Sequence, residues 1–128
     1  TSSNVIEVSV LLDAESATLR EVDVHGHGTK NDSGYSIVCA AVSTLARTAA
    51  RTLELDDGYT VTGEATSPGD LRFTVEEVEG ADASENTRRR NRLQGVTDYF
   101  LTGVRDIESE YPNECRVNIR TEGERYGS

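Results

Sequence analysis

The stretch "VHGHGTKNDSGYSIVCAAVS", Val24 to Ser43, is where the hydropathy period of the chain changes. Upstream, "NVIEVSVLLD" (Asn4 to Asp13) alternates Val5, Glu7 and Ser9 against Ile6, Val8 and Val10, with Leu12 continuing the second set. That period of two predicts a half-buried strand. "ESAT" reads as a turn, and "LREVDVHG" (Leu19 to Gly26) repeats the alternation, with Leu19, Glu21 and Asp23 facing opposite Arg20, Val22 and Val24. The two strands predict an antiparallel hairpin. Past the loop "GTKNDSGY", Val38, Ala41, Val42, Leu45, Ala49 and Leu53 recur at threes and fours, the stripe of an amphipathic helix. Ser36 stands where an N-cap would accept from a free backbone N–H of the first turn, which puts Cys39 at the third helical position.

The same reading extends to the rest of the chain. "DDG" (Asp56 to Gly58) ends the first helix, and "YTVTGEA" (Tyr59 to Ala65) and "DLRFTVEEV" (Asp70 to Val78) are strands around the turn signal "TSPG". A second helix carries Leu93, Val96, Phe100, Val104, Ile107 and Tyr111 on one face, and Pro112 stops it. "CRVNIR" (Cys115 to Arg120) is a last strand. The order ββαββαβ predicts one α+β domain over residues 1–128, a mainly antiparallel sheet with both helices packed on it.

Composition narrows the function. Phe73, Phe100 and five tyrosines are the only aromatics, so the core is built from Val, Leu, Ile and Ala. Twenty-three acidic against thirteen basic side chains leave a net charge of −10, which repels nucleic-acid backbones and anionic lipid and draws in basic partners. The local exception, "TRRRNR" (Thr87 to Arg92), reads as a solvated helix face offsetting nearby carboxylates. No apolar run approaches the ~20 residues that span a bilayer. No secretory signal pattern opens the chain, and two cysteines make no disulfide framework, so a reducing cytoplasm is expected.

Both histidines and one of the two cysteines fall in the opening stretch, and they carry what chemistry the sequence shows. A thiol in the first turn of a helix meets free N–H groups and the positive end of the helix dipole, which favour the thiolate. Ala40 and Ala41 leave room for close approach. His27 leaves a strand on the glycines Gly26 and Gly28, so an imidazole can reach a nearby helix start and serve as base to Cys39. The plainer reading makes Cys39 a small buried hydrophobe and the histidine structural. A metal reading takes His25, His27 and Cys39 with Cys115, but lacks the short paired spacings of structural zinc. Cys115 itself reads as structural.

"GHGTKNDSGYSIVCAAVS" resembles the signature of the bacterial ribosomal-processing cysteine protease family, called Prp. The family carries Gly-His-Ala, a variable loop, then Gly-x-Asp-Ile-x-Cys-Ala-Ala-x-Ser. Gly26 and His27 match the first element, and Gly34, Ile37, Cys39, Ala40, Ala41 and Ser43 the second. The resemblance continues through the leading hairpin and through "IESEYPNECRVNI". It implies a cysteine endopeptidase with His27 as general base and Cys39 as nucleophile, needing no cofactor or metal. It also implies a cytoplasmic homodimer that trims the N-terminal extension of a large-subunit ribosomal protein, and a His-to-Cys loop, with Gly28 and Gly34, that orders over the bound peptide.

Two positions depart from the family pattern. Gly28 stands where Ala is usual, and Ser36 where Asp is usual. Ser36 can cap a helix but brings no charge to steady an imidazolium, and Asp23 and Asp32 are the candidate substitutes. The departure keeps a second function open: a protease-like module that binds a basic ribosomal or scaffold partner without cutting it.

Overall fold

A computed structural model describes residues 5–27, 33–67, 70–80 and 82–122, with backbone only at residue 27, at 33–36 and at 64–67. The elements are β1 (Val5–Leu12), β2 (Leu19–His27), α1 (Ser33–Glu54), β3 (Tyr59–Ser67), β4 (Asp70–Glu77), α2 (Ala83–Glu110) and β5 (Cys115–Thr121). This is the ββαββαβ order expected. The strands form one sheet in the order β3-β4-β2-β1-β5, antiparallel throughout except where β5 runs parallel to β1.

Both helices cover one face of the sheet. Ile6, Val8 and Val10 of β1, Val22 and Val24 of β2, and Phe73 of β4 are buried there, and Val38, Val42, Leu53, Phe100 and Val104 descend onto them from the helices. The other face is a polar lattice, as a one-sided antiparallel sheet allows. There Arg72 pairs with Glu21 at 2.9 Å and Arg116 with Glu7 at 3.1 Å. No described helix is long and apolar enough to cross a membrane.

One strand departs from simple alternation. Leu12 lies opposite Leu19 but Leu11 lies opposite Glu21, so Arg20 is an extra residue in β2. The bulge reverses the phase of the strand. Leu19 is therefore fully buried on the same face as Val22 and Val24, rather than sharing a face with Glu21 and Asp23 as alternation predicted. Above it sits Thr97, a fully buried polar residue in the stripe of α2, whose Oγ1 accepts from the Leu19 N–H at 3.0 Å.

Helix α2 starts ten residues before its first apolar anchor, Leu93. Asp82 caps it, accepting from the Glu85 N–H at 2.8 Å, which satisfies one of the free amides of the first turn. This early segment carries "TRRRNR", which is more than a solvated face. Arg88 and Arg92 reach the buried carboxylate of Asp56 at 3.5 and 3.2 Å. The Tyr59 hydroxyl donates to the Arg89 carbonyl. Asp56 also accepts from the Gly58 N–H at 2.8 Å, so the basic cluster locks the α1–β3 corner. That amide, and then the two guanidiniums, hold its carboxyl below the usual range.

Helix α1 also starts early, at Ser33. Ser36 is therefore inside the first turn and is not the N-cap, and Cys39 is the seventh helical residue, not the third. The physical reason is that a nucleated helix gains one hydrogen bond for each residue it adds, and nothing in "SGYS" blocks its growth.

Candidate active site

The strand registers fix which residues share an end of the sheet. Val5 is opposite His27, and Ile6 is opposite both Gly26 and Cys115. α1 begins six residues after His27, so its first turns belong to that end too. At 1.5 Å per residue, Cys39 lies about 9 Å along the axis from the start of α1.

Cys39 is half-buried and packs against the edge of the core. Its Sγ lies 4.0 Å from the Ser43 Oγ, one helical turn on. Ala40 is exposed and Ala41 half-buried, so small side chains flank the thiol, and Ile37 is 53% exposed beside it. Gly34 and Ser36 lie in the first turn of α1 and Gly26 near the end of β2. Gly28 and Asp32 lie outside the described residues.

The longer helix changes the electrostatics expected at Cys39. The field of a helix terminus falls off within the first turn, and the N–H of a seventh helical residue is engaged by the carbonyl four residues back. Dipole and free amides therefore do not reach the thiol as the Ser36 cap implied. The unengaged N–H groups belong to the first turn itself.

The remaining polar groups sort by face. His25 points to the polar face, 58% exposed, with Nδ1 3.8 Å from Asp23 and 3.6 Å from Asp70. Asp23 is thus engaged with His25. Cys115 sits in the core on the opposite face, its thiol pushed up to about 11 by burial and by the nearby Glu108. Among the described side chains, the set considered for zinc is divided across the sheet, with His25 on one face and Cys39 and Cys115 on the other. Asp70, in sequence only the first residue of a strand, meets β2 beside the site, and its Oδ1 accepts from the Gly26 N–H at 3.4 Å.

The class of protein follows from comparison with known families: it is a cysteine protease. The family model for the cysteine protease Prp matches residues 5–116, and the chain belongs to that family. Its fold is similar to SMU.848 from Streptococcus mutans, with a TM-score of 0.69 and 22% identity over 93% of this chain and 97% of that one. It is also similar to an essential ribosomal processing protease Prp from S. aureus in complex with a substrate peptide, with a TM-score of 0.66 and 18% identity over 89% and 98%. No curated protein matches the sequence.

Proposed function

We propose that the protein removes the N-terminal extension of a large-subunit ribosomal protein precursor. In this reading His27 takes the proton of the Cys39 thiol, and the thiolate attacks the scissile carbonyl. The amine leaves with the proton from His27, and water hydrolyses the thioester. The early start of α1 places the burden of activation on the imidazole, because Cys39 lies beyond the reach of the helix terminus.

The observation that carries the reading is a juxtaposition. His27 ends β2 at the same end of the sheet as the first turns of α1, and the family match spans both. Gly26, Gly28, Gly34 and Ser36 then belong to the peptide-covering segment and its hinges, and Ala40 and Ala41 to the floor beside the thiol. A surface at −10 steers a basic precursor toward it. The setting is the cytoplasm, with no nucleic-acid or membrane partner.

The test is incubation of the precursor from the same genome with wild type, Cys39→Ala and His27→Ala, read by mass spectrometry. Wild type cuts, Cys39→Ala does not, and His27→Ala is slower by about 10²–10⁴-fold. Cleavage that survives Cys39→Ala ends the proposal. Binding without cleavage by wild type selects the non-catalytic module.

The homodimer finds support on the outer side of the helices. Tyr99 is 72% exposed beside a groove of about 350 Å³ lined by Leu45, Ala49, Val96 and Tyr99 itself. A contact there makes Tyr99→Glu a monomer in sedimentation equilibrium, with the secondary structure of wild type. An unchanged mass would place the contact elsewhere.

A further inference from the structure

Strand β2 is paired with β1 as far as Val5 and His27. Against β4 it pairs through His25 and Asp70, the first residue of β4. Asp70 also reaches past its strand partner with its side chain. Its Oδ1 accepts from the Gly26 N–H at 3.4 Å and lies 3.6 Å from His25 Nδ1.

We propose that Asp70 is a positioning residue, which through the Gly26 amide sets the direction in which β2 delivers His27 to Cys39. The proposal rests on the pairing of His27 with Cys39 put forward above. The hydrogen bond is long, so its share of stability is small. Its effect is on orientation, because Gly26 is the residue joined to His27 and has no side chain of its own to restrict it. The His25 ring cannot substitute for this contact. It is shared with Asp23 at 3.8 Å, and Glu7 lies opposite it on β1. The Gly26 amide, by contrast, donates to Asp70.

Alkylation of Cys39 by iodoacetamide from about pH 5 to 9, followed by peptide mapping, tests this without a protein substrate. Wild type shows a reactive arm below about pH 8 that His27→Ala lacks. Asp70→Ala loses roughly tenfold or more of the rate in that arm. Asp70→Asn keeps an acceptor for the Gly26 amide and stays within about threefold of wild type. Circular dichroism of all variants confirms the fold, and Asp70→Asn carries the test if Asp70→Ala does not fold, since loss of the arm in Asp70→Asn shows that charge rather than the acceptor matters and overturns the proposal. A normal arm in folded Asp70→Ala also overturns it. Identical profiles in wild type and His27→Ala instead remove the His27–Cys39 pairing itself, a distinguishable result.

Discussion

Thr97 occupies a position where the period of α2 asks for an apolar side chain, and it is fully buried there. Its Oγ1 gives the Leu19 amide an acceptor at the irregular start of β2. Thr97→Val keeps the shape and removes the acceptor, leaving a buried N–H unpaired, a loss of about 1–3 kcal/mol. Urea denaturation checks it, and an unchanged midpoint would mean the amide has another partner. His27 and Cys39 stand out as candidates in the sequence because they lie within one short stretch of it. Asp70 and Thr97 do not, because they act on backbone amides 44 and 78 residues away, and no local pattern encodes a partner at that distance. Cys115 is legible as structural from its setting alone, a strand start with no histidine near it in sequence.

Elements are legible to the extent that burial dictates their pattern. The period of two marks β1, and the stripe of α1 marks its buried face. The bulge in β2 is hidden, because Arg20 looks like any polar position until Leu19 is seen opposite Leu12. The starts of both helices are hidden for a related reason: their first turns lie ahead of the apolar stripe. Within α2, two glycines separate packing from propensity. A Cβ at Gly95 would meet nothing within 4 Å, whereas one at Gly103 would come within 2.8 Å of Leu45 Cδ1. Gly95→Ala therefore raises stability by about 0.5–1 kcal/mol, the helix-propensity gain alone. Gly103→Ala gives up that gain to the displacement of Leu45. Thermal melts of the two variants rank them, and an equal or larger gain at Gly103 would show that the α1–α2 contact yields freely.

At the scale of the molecule, three carboxylates fix the corners between elements through backbone amides. Asp13 accepts from Ser16 in the hairpin turn, Asp56 from Gly58 after α1, and Glu108 from Val117 of β5. Each is held below its usual range, first of all by that N–H. A depressed folded value means the stabilisation is complete above the ordinary carboxylate range of about 4 and is lost as pH falls through the lowered values. Acid also relieves the repulsion of a −10 chain, which acts the other way. The local contacts win, so urea midpoints fall below about pH 4, and less steeply in Asp56→Asn. A midpoint that climbs toward pH 3 would show repulsion to be the larger effect. The place of β5 has a consequence in time. β1 precedes α2 in the chain, yet its outer neighbour β5 follows α2. The end of the sheet that His27 shares with Cys115 is therefore unfinished while the chain is still being translated. A chain of this family is in this way left with an open sheet edge beside β1 until β5 has been made.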